Sequence, residues 1–384
     1  MEFRFTPEQE AFRREVRQFL SEVLTPDLRQ KLRESGDEGF SPEFSRKLSE
    51  RGWIGLNWPR EHGGLAKGTV ERCIFNEELA VHDAPTGYHL FGERQVGPSL
   101  IRYGTEEQKR ELLPRIARSE ISFCLGLSEP EAGSDLANVR TGAAREGDFY
   151  TVNGQKIWTS YAHRADMCLL VVRTDPDAPK HRGISILLVD MRSPGITVQP
   201  LVNMAGGHSF NQLFFENLRV PSRNLLGQED MGWYVLAEHL DFERAGIDRI
   251  ARSQRLFHDC LDFVRQVSQS GPHVGPVVRQ RLAELHTELA VGRLLAYRVA
   301  WLMDRGLFPN PEASMSKVFG TEWCQKVANL AYQVAARHGA RVPPELRARA
   351  MRSYLMSVGD TIAAGTSEIQ RNVISQRGLG LPRG

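Results

Sequence analysis

The sequence contains no long apolar run. Cys168–Val172 and Ile186–Val189 are among the longest, far short of the ~20 apolar residues that a bilayer-spanning helix requires, so no membrane association is expected. The opening MEFRFTPEQEAFRREVRQFL is dense in charge and has no apolar signal core. Cysteine is scarce. Five residues (Cys73, Cys124, Cys168, Cys260, Cys324) are spread through 384 with no C-x-x-C pair, which argues against a disulfide scaffold and for a reduced, cytoplasmic setting. Net charge is small, with 49 Lys and Arg against 47 Asp and Glu. That balance gives no electrostatic basis for a nucleic-acid partner or an anionic membrane. The eleven histidines show no H-E-x-x-H or similar spacing, so no metal site is expected. A G-x-G-x-x-G after a strand, a P-loop and a G-x-S-x-G are all missing.

What is present falls into three textures, read as domains 1–120, 121–234 and 235–384. In the first, Phe12, Val16, Phe19 and Leu20 recur at helical spacing behind Thr6-Pro7, a cap and a first-turn proline. Thr105 and Gln108 have the spacing of a capping box. The second is rich in strand signals. Phe149–Val152 and Gln155–Trp158 flank Asn153-Gly154, which predicts a two-residue hairpin turn. Ile184–Val189 and Leu213–Val220 are further strands. No helical pattern alternates with them, which predicts an antiparallel barrel or sandwich rather than a parallel doubly wound sheet. The third is helical again, with stripes such as Leu282, Leu285 and Leu289 and a run from Met315 through Phe319 to Val334, predicting a bundle. The fold class is therefore α+β.

From Trp233 to Val264 the residues Leu236, Leu240, Ile247, Ile250, Phe257, Leu261 and Val264 form one helical ladder, and Glu243 and Gln254 fill its remaining rungs. A carboxylate on a buried stripe is either paired or functional, and desolvation strengthens it as a base. The alternatives on pattern alone are an ion pair with a buried arginine or a place at the stripe's frayed edge. Arg244 can reach Asp241 or Asp248 at helical spacing. Near the C-terminus, Gly365 ends one segment, and Ser367 with Gln370 reads as a capping box whose free N–H groups can meet an anion or a carbonyl; an ordinary cap between helices gives the same pattern. Ser128–Asp135 is a polar loop in which Gly133 and Ser134 permit close backbone approach, as a plain solvent loop would too.

Five segments then occur in order: Asn57-Trp58-Pro59-Arg60-Glu61-His62-Gly63-Gly64, Tyr103-Gly104-Thr105-Glu106-Glu107-Gln108-Lys109 followed by Leu113-Pro114, the loop Leu127–Asp135, Asn153-Gly154-Gln155-Lys156-Ile157-Trp158, and Gly365-Thr366-Ser367-Glu368-Ile369-Gln370-Arg371. Together they resemble the acyl-CoA dehydrogenase family of flavoproteins over the whole length of the chain. The resemblance implies an N-terminal helical domain, a middle β-barrel or sandwich and a C-terminal four-helix bundle, usually in a homotetramer. It implies FAD, held without a Rossmann fold. Leu125, Leu127, Ser128 and Ser134 would contact the flavin and its phosphates, and Trp158, Thr159 and Ser160 would lie against the isoalloxazine. Gln333, Thr366, Ser367 and Glu368 match other FAD-contacting positions, whereas Asp241, Arg244, Ser134, Ala364 and Gly365 match positions near the acyl-CoA. The implied reaction is α,β-dehydrogenation to a trans-2-enoyl-CoA within fatty-acid β-oxidation, with electron-transfer flavoprotein as acceptor.

Two departures qualify the resemblance. Most members carry the catalytic Glu just before the final Gly-Thr, where this chain has Ala364. A minority, similar to isovaleryl-CoA and long-chain acyl-CoA dehydrogenases, place it on the first bundle helix before an Arg, as in Glu243-Arg244; Glu243 is thus the expected base. The family's R-x-x-F-G is missing around Ser270–Pro276, and Gln333 is followed by Ala336-Arg337 where the family has two glycines. These motifs help a neighbouring subunit hold the adenine end of FAD, so a heteromer with a related subunit stands beside the homotetramer. An acyl-CoA oxidase, a crotonobetainyl-type enoyl-CoA reductase and a non-catalytic subunit of a heteromer are the competing readings.

Overall fold

A computed structural model describes residues 4–34, 39–243, 246–270 and 274–382; the side chains of 238–243 and 270 fall outside the described set. The elements run helix, strand, helix, as the three textures predict. First come α1 (Pro7–Val23), α2 (Pro26–Glu34), α3 (Pro42–Glu50), α4 (Thr69–Val81), α5 (Gly97–Tyr103) and α6 (Glu106–Ala117). Then follow β1 (Phe123–Gly126), β2 (Gly142–Glu146), β3 (Phe149–Lys156), β4 (Met167–Arg173), β5 (Ile184–Asp190), β6 (Ile196–Leu201) and β7 (Phe210–Pro221). The chain ends in α7 (Gly232–Glu243), α8 (Asp248–Ala251), α9 (Gln254–Ser270), α10 (Pro276–Met303), α11 (Asn310–His338), α12 (Pro344–Asp360) and α13 (Ser367–Val373). The helix starts at Pro7 and Glu106 are capped as expected: Thr6 Oγ1 accepts the Gln9 N–H, and Thr105 with Gln108 forms a full capping box.

Two compact units emerge. One comprises Val23–Lys67 and Pro85–Glu243 and contains the sheet. Within it β4 is buried on both faces. Leu169 and Val171 pack with Val96, Leu100, Leu113 and Ile116 of the helices, while Cys168, Leu170 and Val172 pack with Tyr150, Val152, Leu213 and Phe215. A strand covered on both sides reads as an unbroken apolar run, which is what the sequence has there.

The expected wholly antiparallel sheet is corrected in one respect. β1 and β2 pair with β4 in parallel, and the other pairings between these strands are antiparallel. The β2–β3 hairpin supplies the length of chain that a parallel return needs. The expected turn at Asn153-Gly154 is corrected as well. β3 runs straight through it, and the turn lies at Gly147-Asp148, between the paired Glu146 and Phe149. Asn153 instead accepts the Asn217 N–H at 2.8 Å, opposite a bulge where Asn217 takes φ +50°. Gly154 is needed because a Cβ there would lie 2.7 Å from Thr141 Cα.

The other unit joins Met1–Glu22 and Gly68–Ala84 to Arg244–Gly384. α11 lies at its centre, packed by α9, α10, α12 and α13, and α4 packs on α8 and α10. Arg13 of α1 bridges Glu77 and Glu78 of α4 at 2.8 and 2.7 Å, and the Tyr297 hydroxyl of α10 donates to Glu77 at 2.7 Å. The single helix expected over 233–264 is three: α7, α8 and α9. Gly246 sits in the interruption, where a glycine weakens a helix by about 1 kcal/mol relative to alanine, and Arg249 N–H already bonds back only three residues, to Gly246 O. Leu236, Ile247, Ile250, Phe257 and Val264 are buried as the ladder requires, and Gln254 is buried with them.

Candidate active site

In the sheet-bearing unit, the ends of β1 and β3 bring two of the singled-out segments together. Ile157 N–H donates to Ser128 O at 2.9 Å, and Glu129 and Ala132 exchange backbone bonds of 3.1 and 3.0 Å, closing the loop after Leu127. Leu125, Leu127 and Ser128 are half-buried and Ser134 is exposed. Beyond Ile157 the backbone is unusual. Trp158 takes φ +61°, a left-handed conformation costly for a bulky residue, and leaves 60% of its surface exposed, edge-on to Phe210. Thr159 is fully buried, exchanges two 3.0 Å backbone bonds with Asn211, and has no partner for its Oγ1. Ser160 is half-buried.

Sequence reasoning missed what holds these segments. Lys156 is fully buried, and its ammonium donates to Glu129 Oε1 at 2.8 Å and Leu127 O at 3.0 Å. Glu129 also accepts the N–H groups of Arg140 at 2.7 Å and Thr141 at 2.9 Å. Burial pushes the Lys156 ammonium down to about 8 despite the attraction of Glu129. For Glu129, burial works upward, but Lys156 and the N–H donors outweigh it and its carboxyl lies below the usual range. The available signal was parity: Lys156 continues the inward series of Tyr150 and Val152, a place where a lysine needs a partner.

In the other unit, Ala364 and Gly365 are consecutive left-handed residues, φ +52° and +80°. The expected capping box at Ser367 is corrected: Thr366 is the cap of α13, its Oγ1 accepting the Ile369 N–H at 3.2 Å. Ser367 is already inside the helix, buried, with its Oγ unpartnered. Gln370 instead donates from Nε2 to Ala364 O at 3.0 Å. Ala364 and Glu368 are exposed, and hydrogen bonds from its own backbone N–H and from Thr366 hold the Glu368 carboxyl below its usual range. Gln333 is exposed and bonded to Arg281 and Asn329. Glu243 is the last residue of α7; its side chain and that of Asp241, like Arg244 altogether, lie outside the described residues.

Residues 6–120, 124–218 and 230–379 match in turn the N-terminal, middle and C-terminal domains of acyl-CoA dehydrogenase. The chain belongs to the acyl-CoA dehydrogenase family. It is 36% identical to acyl-CoA dehydrogenase FadE26 of Mycobacterium tuberculosis over 100% of this chain and 99% of that one. Among solved structures it resembles the Tcur3481-Tcur3483 steroid ACAD, at 31% identity and TM-score 0.89 with 100% of both chains covered. It also resembles the ChsE4-ChsE5 complex of M. tuberculosis, at 35% identity and TM-score 0.87, again with 100% of both chains covered. This acyl-CoA dehydrogenase is thus an oxidoreductase, and FAD is its cofactor. The residues fit that group: an exposed flat indole and a buried hydroxyl without a partner stand side by side at Trp158-Thr159. No described helix is long and apolar enough to cross a membrane.

Proposed function

We propose that this acyl-CoA dehydrogenase removes the α-proton of a CoA thioester with Glu243 and yields the trans-2-enoyl-CoA. FAD supplies the acceptor, at its N5, for the β-hydrogen. The observation that carries the reading is Ala364, whose methyl group cannot take a proton at the position where most relatives keep the base. Its backbone N–H remains able to donate to the thioester carbonyl, drawing charge off the α-carbon as the proton leaves. Gly365, Ser134, Asp241 and Arg244 complete the substrate contacts in this reading. Leu125, Leu127, Ser128, Ser134, Trp158, Thr159, Ser160, Gln333, Thr366, Ser367 and Glu368 hold the flavin, Trp158 and Ser160 shielding it from water.

Two full-length structural relatives are two-component assemblies, one of them described as a steroid dehydrogenase. They support a steroid-type acyl-CoA as substrate in preference to a plain fatty chain, and a heteromer with a related subunit in preference to a homotetramer. Electron-transfer flavoprotein is the acceptor and the cytoplasm the location in this reading, with domain boundaries at 120/121 and 234/235. The test is anaerobic flavin bleaching across straight, branched and steroid-type acyl-CoAs. Glu243→Gln keeps the yellow colour and loses the bleaching; bleaching at the unaltered rate removes Glu243 from the mechanism. Oxygen uptake during turnover would mark an oxidase instead. A chain that takes up FAD neither alone nor with a co-expressed relative is a structural subunit.

A further inference from the structure

The buried pair Lys156–Glu129 lies where three stretches of backbone meet. The ammonium reaches Leu127 O and Glu129 Oε1. The carboxylate reaches the N–H groups of Arg140 and Thr141, and Thr141 Oγ1 donates to Gln155 O at 3.0 Å. Segments 127–129, 140–141 and 155–157 are thereby closed around a single ion pair, with relative exposures of 0% and 8% for its two side chains. Both groups are spent on each other and on backbone groups of the three segments. What they govern is the backbone on either side. The loop through Ser128 leaves one end of this knot, and Trp158 leaves the other.

Trp158 is held between two fixed points. On one side Ile157 N–H is bonded to Ser128 O, and on the other Thr159 is bonded to Asn211 through both backbone groups and through the Asn211 side-chain amide, which donates to Thr159 O at 3.0 Å. A left-handed tryptophan is strained and persists only where its surroundings over-determine it. The Ser128–Ile157 side of that constraint depends on the loop staying where Lys156 ties it.

We propose that Lys156 and Glu129 are positioning residues for the flavin: the pair sets the distance and angle between the Leu127–Ser128 edge and the Trp158 ring, and so the shape of the isoalloxazine seat. The proposal rests on FAD occupying that seat, and its test separates the two. Lys156→Met alone leaves a carboxylate buried without its cation, which is strongly destabilising. The double variant Lys156→Met with Glu129→Gln removes both charges at similar volume. The amide it places at position 129 keeps one acceptor oxygen where the carboxylate offered two, one to Arg140 N–H and one to Thr141 N–H, so one of these backbone ties is lost together with the tie to Leu127 O and to the strand.

The measurements are FAD dissociation constant by titration of deflavinated protein, the flavin absorbance envelope, quenching of Trp158 emission on FAD addition, and thermal melting without flavin. The expected result is a double variant that melts within a few degrees of the parent, binds FAD at least tenfold more weakly, and shows a shifted flavin band. Lys156→Arg, which keeps the charge and the donors, recovers part of the affinity and moves the band back. Parental affinity and an unshifted band in the folded double variant overturn the proposal. So does loss of the fold in the double variant, since the pair would then hold the sheet and not the seat. Failure of the parent protein itself to bind FAD would count against the flavin seat at Trp158 and not against the pair alone.

Discussion

At residue scale the centre of interest is Ala364, whose backbone N–H the proposed mechanism directs at the thioester carbonyl. Its left-handed φ costs an alanine about 1–2 kcal/mol, and Gln370 offsets that by donating to its carbonyl. Gly365 makes the approach possible, because a Cβ there would lie 2.5 Å from Gln370 Nε2. In the proposed mechanism the Gln370 amide thereby fixes the 364–365 turn that presents the Ala364 N–H. Gln370→Leu fills similar volume, removes the donor, and frees the 364–365 turn. Since a misplacement of about 1 Å costs on the order of 100-fold in rate, kcat with a saturating thioester is expected to fall ten- to a hundredfold, with flavin content unchanged. Steady-state turnover beside the flavin absorbance of the purified protein checks it; unchanged kcat would mean that the turn holds its shape without Gln370.

At the scale of elements, much was legible and the failures have physical causes. Helix starts at Thr6 and Thr105 could be read because the cap and its partner are three residues apart in one stretch of chain. The turn at Asn153-Gly154 was misread because the deciding partner, Asn217, is remote in sequence. Likewise the break after α7 is invisible to a periodicity that continues in phase across it. The buried Lys156 was legible only once the course of β3 was known, and Glu243 was singled out by the helical ladder and, independently, by the resemblance, while its side chain lies outside the described residues. α4 gives a further case. Its N-cap is Gly68, which has no side chain to offer, and the Asp304 carboxylate at the end of α10 accepts the N–H groups of Thr69 and Val70 instead. A cap lent by another helix should be worth what a local one is, with a dipole contribution besides. Asp304→Ala is expected to destabilise the protein by about 1–2 kcal/mol, and Asp304→Asn to recover part of that. Urea unfolding of the three proteins measures it; equal midpoints would show that water caps α4 equally well.

For the whole molecule, each compact unit contains a buried group whose protonation opposes folding, and the two act over different pH ranges. In one unit burial works to raise the Glu77 carboxyl, but hydrogen bonds and charge from Arg293, with Arg13 and Tyr297, hold it down to about 2. Its contribution is complete above the unfolded carboxyl value near 4.5 and is lost as pH falls toward 2. In the other unit burial, aided by the charge of Arg94, lowers His89 to about 3, and its Nδ1 lies 2.7 Å from Ser45 Oγ. The unfolded imidazole takes up a proton near 6.5 while the folded one does not, so stability falls from pH 6.5 downward until about 3. One proton of difference is a slope of about 1.4 kcal/mol per pH unit. Stability by urea unfolding is therefore expected to decline below pH 6.5 and more steeply below 4.5. His89→Phe should remove one proton's slope from pH 6.5 down to about 3, leaving only the Glu77 slope below 4.5, and Glu77→Gln should remove one proton's slope below 4.5 and leave the limb between 6.5 and 4.5 intact, each at a cost in stability at neutral pH. If His89→Phe retains the full upper slope, the imidazole is already protonated in the folded protein, and its bond to Ser45 runs from nitrogen to oxygen.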